Sequence, residues 1–303
     1  MANSSYQTNQ HNLLKQLEPF VLKLTQAIPN ESNIFDLTLI AAIAKCFEFN
    51  KYIFAKELGE DSFFSLPTLR GICEDIISLK YLFEKVDNDD REDILKSMLF
   101  LNIYDGIKRQ NVFFSRHRPL QPIVKSFPNM DSEISSHKRI IKNYKSKYQW
   151  QRNNPTTKEM ATAVGLDATY EFLYAATSRT VHFTPHILIR MGWTMESIPE
   201  NELRENIGNY LMQYSTSNFH GYYKNFCEFY GIQMLILILS TFSEYLKLPL
   251  DIKTILIEID STQEDFTRWP EIITFEEMNL KPPSPAIFAW MDSLHFAKRA
   301  END

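Results

Sequence analysis

Glycine is scarce in this chain, with 8 among 303 residues. Gly-rich phosphate loops, Rossmann turns and sheets with many tight hairpins all draw on glycine at positive φ, so this poverty excludes them and favours a helical protein. Cysteine is nearly as rare. Cys46, Cys73 and Cys227 lie far apart in apolar surroundings with no CxxC between them, which argues against a zinc knuckle or a disulfide framework and predicts reduced thiols in a cytosolic protein. Met1 to Gln10 carries no charge and no apolar core, so no secretory signal is expected there and a frayed end is. The strongest apolar run, Ile232 to Phe242, is about half the length a membrane-spanning helix requires and predicts a buried core helix. Neither a GxSxG elbow nor an HExxH pattern occurs, and Asp87 to Asp93 lacks the central glycine of a calcium loop. The carboxylates Asp251, Glu258, Asp260 and Glu264 are expected as exposed charges.

What the chain does contain is apolar residues at helical spacing, in long stretches broken by proline or acidic residues. About eight helices are expected. They run over roughly 11–28, 34–58 behind Ser32 and Asn33, 65–86 with Pro67 in its first turn, 91–117, 131–151, 155–165, 167–182 and 201–247, the last as one helix or a pair. Asp87 to Asp90 should break the third and cap the fourth. Thr184-Pro185 offers a cap and first-turn proline for a further start, followed by an extended stretch from Ile187 to Trp193. Thr254 to Asp260 reads as a short strand, and Pro282 to Pro285 introduces a last helix ending near Arg299. The expected fold is all-α, a multi-helix bundle over residues 1–250 with an irregular C-terminal extension over 251–303 packed on it.

The net charge of -6 conceals a strong asymmetry. Gly106 to Lys158 holds 12 Lys and Arg against Asp131 and Glu133, a local balance of +10, which leaves -16 on the rest. Phe113, Phe114, Phe127, Tyr144, Tyr148 and Trp150 interleave with these cations. Cations that reach phosphates beside rings that stack on unpaired bases suit single-stranded RNA. Lys108, Arg109, Arg116, Arg118, Lys138, Arg139, Lys142 and Lys145 are the candidate contacts, together with Arg70. The same segment is equally suited, on charge alone, to an acidic protein partner or to the acidic surface of this chain.

Two constellations carry candidate chemistry. Arg70 and Glu74 stand four apart in an apolar helix, on one face, where they can pair at the rim or serve a site, Glu74 by orienting a histidine and Arg70 by binding an anion. Ser178-Arg-Thr-Val-His-Phe-Thr-Pro-His186 places an obligate cation and two imidazoles within eight residues. Arg179 and His182 are helical neighbours, while Pro185 bends the path to His186. A neutral histidine can accept the 2′-hydroxyl proton of RNA while Arg179 holds the phosphate, a scheme that needs no metal and no other cofactor. The alternative is structural: core or capping histidines, with Arg179 paired to Glu171 or Glu74.

An R-x-x-x-E helix (Arg70, Glu74) followed by a helix ending in S-R-x-V-H (Ser178, Arg179, Val181, His182) resembles an uncharacterised family of bacterial helical proteins. That family looks like a distant relative of the HEPN superfamily, and the resemblance spans roughly Phe35 to Tyr245. It implies an HEPN-like bundle, a homodimeric assembly and metal-independent RNA cleavage of toxin or antiphage type, or a noncatalytic interaction or dimerisation module. HEPN ribonucleases pair Arg with His across four to six residues, as Arg179 and His186 do, although Pro185 interrupts the helix on which such a pair usually lies. His182 is the first choice of base because it neighbours Arg179 on the helix. The expectation is therefore a cytoplasmic RNA-binding protein with Arg179, His182, His186 and Glu74 as candidate catalytic residues and no membrane segment.

Overall fold

The computed structural model describes residues 2–26, 33–55, 62–123, 130–182, 184–190, 215–216, 220–264 and 269–272. Every regular element among them is a helix: α1 (Ala2–Gln26), α2 (Ile34–Ala55), α3 (Ser62–Lys85), α4 (Asn88–His117), α5 (Met130–Lys147), α6 (Thr157–Ala163), α7 (Asp167–Val181), α8 (Pro185–Arg190), α9 (His220–Thr241) and α10 (Leu250–Glu264). The described part of the protein is all-helical, as its glycine poverty predicts. Lys125, Phe127, the stretch 191–214 and the helix expected before Arg299 lie outside the described residues. No described helix is long and apolar enough to cross a membrane.

The chain divides into two compact units. The first comprises residues 1–23, 43–73 and 172–303, the second residues 24–42 and 74–171. In the first, α9 is apolar on nearly all sides and buries Phe226, Cys227, Phe229, Ile232, Leu235, Ile238 and Leu239. A helix of that composition belongs in the middle of a bundle. On α2, Asn50 is fully buried and donates from Nδ2 to the Gly231 carbonyl at 3.0 Å. The approach is so close that a Cβ on Gly231 would lie 2.8 Å from both Asn50 Oδ1 and the Phe49 ring.

α1 reaches nine residues further towards the N-terminus than its sequence suggests. Gln7 donates to both oxygens of Glu228 at 3.2 and 3.1 Å, Gln10 donates to the Thr262 hydroxyl, and Gln263 donates to the Tyr6 hydroxyl. These side-chain bonds anchor a polar segment that has no helical periodicity of its own, so tertiary contact overrides composition. α10 replaces the strand expected at 254–260. Its β-branched residues read as strand, but Ile252, Leu256, Ile259 and Gln263 are buried at helical spacing while Ile257 is 70% exposed, so the packing period decides the element. α8 likewise replaces the start of the extended stretch at 187–193. Pro185 opens it, and the Ile187 and Leu188 amides donate to the Thr184 carbonyl at 3.0 and 3.2 Å.

In the second unit α4 and α5 form an antiparallel helical hairpin. Lys147 donates to Asp87 at 2.9 Å and to Asp90, the Tyr144 hydroxyl donates to Asp93 at 3.1 Å, and His137 meets Ser97 at 3.0 Å and stacks on Phe100. Asp87 precedes α4, yet its side chain makes no cap bond to the helix; its carboxylate serves Lys147 instead. Burial opposes ionisation of Asp90, but the hydrogen bonds from Lys147 and Tyr148 outweigh it and hold the carboxyl below its ordinary range. The bonds of Lys147 to Asp90 and Asp87 in turn raise its ammonium. Glu92 accepts from the first-turn amides of Ile34 at 3.0 Å and Phe35 at 2.9 Å, which caps α2 from a distant point in the chain. Arg91 is buried, its guanidinium 4.3 Å from the Phe35 ring and 5.2 Å from the Phe83 ring.

Candidate functional site

α7 ends at Val181, but the His182 amide still donates to the Ser178 carbonyl at 3.0 Å, so His182 completes the last turn. Arg179 is therefore one turn before His182 on the same strip of helix surface, with Cβ atoms about 5–6 Å apart. His182 is exposed and Arg179 half-buried. No described residue forms an ion pair with Arg179. Glu171, a partner considered for it from sequence, is bonded instead to Lys158 at 2.7 Å. His186 falls in the first turn of α8, immediately after Pro185, and its side chain lies outside what is described.

Arg179 lines an open groove of about 550 Å³ together with Phe172, Tyr230, Trp269, Pro270, Glu271 and Ile272. The walls are aromatic and mutually packed: Phe172 lies 5.3 Å from Tyr230, and Phe229 5.1 Å from Trp269, between ring centres. The Tyr230 hydroxyl donates to the Pro270 carbonyl at 2.8 Å, tying residues 269–272 to α9. Burial raises the Tyr230 hydroxyl, and the nearby Glu271 charge adds to the shift. A smaller cavity, about 10 Å³ with room for one water, also touches Arg179 and is lined by Leu66, Ile187, Tyr222 and Phe226. Sequence reading found the cation and missed the groove, because Phe172, Tyr230 and Trp269 converge only through folding.

Arg70 is half-buried on α3 with its guanidinium 4.3 Å from the Tyr174 ring centre on α7. Glu74, half-buried, belongs to the second unit. The remaining candidate cations also belong to the second unit and form two groups. Asp105, Lys108, Arg109, Val112, Phe113, Arg116 and His117 line a surface groove of about 380 Å³ on the last three turns of α4, with exposed Arg118 just beyond the helix. Phe113 is 56% exposed, and its ring packs 4.6 Å from His117. Arg109 bonds to Asp105, whereas Lys108 and Arg116 form no ion pair with a described residue.

Lys138, Arg139, Lys142 and Lys145 sit on α5. The pairing of Asp93 with Tyr144 and Phe100 with His137 brings Lys142 level with about Leu95. Arg109 is 14 residues further along α4, roughly 21 Å at the helical rise. The hairpin thus separates these cations into two groups, and the α4 group lines a groove with Phe113 and His117.

Ser97 and His137 have the hydrogen bond of a nucleophile and base, which sequence spacing did not suggest. Ser97 is fully buried, so the pair is inaccessible to substrate and clasps α4 to α5. Cys46, Cys73 and Cys227 are all buried free thiols, and burial pushes the Cys227 thiol up, away from reactive thiolate. Among the described residues, no three His, Cys, Asp or Glu side chains are grouped to hold a metal ion.

Residues 58–197 match a family of unknown function (DUF5677). The matched stretch is somewhat less than half of the chain and carries Arg70, Glu74, Arg179, His182 and His186. No curated protein and no solved structure matches the chain.

Proposed function

We propose that the protein is an HEPN-like RNA-binding protein that cleaves RNA without a metal ion, with Arg179 on the phosphate and His182 as base. One observation carries this reading: a half-buried guanidinium without a described ion-pair partner stands one helical turn from an exposed imidazole, in the wall of an aromatic groove. Neutral His182 takes the 2′-hydroxyl proton, the 2′-oxygen attacks phosphorus, and the bond to the 5′-oxygen breaks. The leaving oxygen takes a proton from water, which yields a 2′,3′-cyclic phosphate and a 5′-hydroxyl. Arg179 stabilises the negative charge that builds on the phosphoryl oxygens. His186 is the alternative base. The α4 groove supplies sequence-independent affinity through Lys108, Arg109 and Arg116 with Phe113 as a stacking surface. On this reading the protein works in the cytoplasm as a homodimer, in toxin or antiphage action.

A noncatalytic interaction module is the second reading, favoured by Leu99, Ile103 and Phe113, which share one face of α4 and are each more than half exposed. Incubation of labelled single-stranded RNA in excess chelator separates the two. Cleavage by the wild type that is lost in both Arg179→Ala and His182→Ala is the expected result. Cleavage unchanged in both variants rejects this site, and no cleavage by the wild type leaves the interaction module.

A further inference from the structure

We propose that the groove walled by Phe172, Tyr230 and Trp269 is a nucleotide site, which takes one purine base against its aromatic wall and the attached phosphate on Arg179. The inference rests on the reading of Arg179 as a phosphate ligand and adds what holds the nucleoside. Its volume of about 550 Å³ falls within the range of sites that enclose small ligands. Trp269 is 53% exposed although its ring meets Phe229 at 5.1 Å in a tilted arrangement; about half of the side chain is held by the protein and the rest is open to a flat partner. The Tyr230 to Pro270 hydrogen bond fixes the backbone beside Trp269, so the wall is built before a ligand arrives.

Charge orients the occupant. Arg179 and Glu271 are the two ionisable residues of opposite sign that line this groove. A phosphate is repelled by Glu271 and attracted by Arg179, whereas the exocyclic amino group of a base donates to a carboxylate and gains nothing from a guanidinium. Adenosine 5′-monophosphate carries the amino group on its stackable base and the phosphate at the far end of its ribose. An aliphatic anion would leave the aromatic wall unused, and an uncharged aromatic compound would leave Arg179 unused.

Adenosine 5′-monophosphate, adenosine and inorganic phosphate are titrated separately into the full-length protein, with affinity read by equilibrium dialysis and by tryptophan fluorescence. The nucleotide should bind more tightly than either fragment. Trp269→Ala should weaken it about tenfold, the scale of one lost stacking contact, while Trp269→Phe retains most of the affinity. Arg179→Ala should reduce the nucleotide to the affinity of adenosine and leave adenosine unchanged. Nucleotide binding that is absent, no tighter than adenosine, or indifferent to both Trp269→Ala and Arg179→Ala overturns the proposal. RNA cleavage without nucleotide binding would defeat this inference alone, and nucleotide binding without RNA cleavage would defeat the ribonuclease reading alone.

Discussion

Gly231 and Gly106 are both helical glycines, but they answer to different physics. At Gly231 an added Cβ meets Asn50 and Phe49 at 2.8 Å; at Gly106 it meets nothing within 4 Å. Gly231→Ala should cost about 1–3 kcal/mol by overpacking, whereas Gly106→Ala should add about 0.5–1 kcal/mol by restricting the unfolded chain. Urea midpoints measure both, and equal effects of the two changes would contradict the crossing of α2 and α9 described above. Glu228 provides a pH test of the same unit. Burial raises its carboxyl, opposed by hydrogen bonds from Gln7 and by the Lys224 charge. Since the folded-state value lies above the unfolded one, the proton stabilises the fold. That contribution is complete below the unfolded carboxylate range and is lost as pH rises through the folded value. Relative to Glu228→Gln, the wild type should therefore be at its best in acid and lose ground towards neutrality. A difference independent of pH would show that Glu228 titrates alike in both states.

At the scale of the element, α4 does two jobs along its length. Through Asp90, Asp93 and Ser97 its first turns bind Lys147, Tyr144 and His137 of α5, while its last three turns present cations and exposed rings. Lys108→Glu with Arg116→Glu should weaken single-stranded RNA binding and lower the slope of log affinity against log salt by about 0.7 per lost phosphate contact. Lys138→Glu with Lys142→Glu should change that slope less, because these residues lie about 20 Å away along the hairpin. The reverse ranking would move the RNA surface to α5. Helix identity was largely legible in sequence here: the expected end at 117 is the end of α4, and the short helix expected over 155–165 is α6, which starts behind a full capping box at Thr156. α10 was not legible, because Ile255, Ile257 and Ile259 suit a strand, and only burial of every third or fourth residue makes the helix. The start of α1 was hidden for a related reason. Tyr6 and Gln10 are ordered by Gln263 and Thr262, about 250 positions away.

Across the whole molecule, function is a matter of charge and of convergence. The sequence shows the +10 segment directly, and the fold divides it, which linear counting has no means to reveal. Arg179 and His182 were visible as helical neighbours because an i to i+3 spacing is local. The aromatic groove around Arg179 was not, since Phe172, Tyr230 and Trp269 come from three distant segments. The central claim is that this pair cleaves RNA by internal attack of the 2′-oxygen. It is tested most directly by the chemistry of the product ends after incubation of a defined RNA with the protein in excess chelator. The account predicts 2′,3′-cyclic phosphate and 5′-hydroxyl ends from the wild type and none from Arg179→Ala or His182→Ala. Ends bearing a 5′-phosphate and a 3′-hydroxyl, or RNA left intact by the wild type, would contradict it.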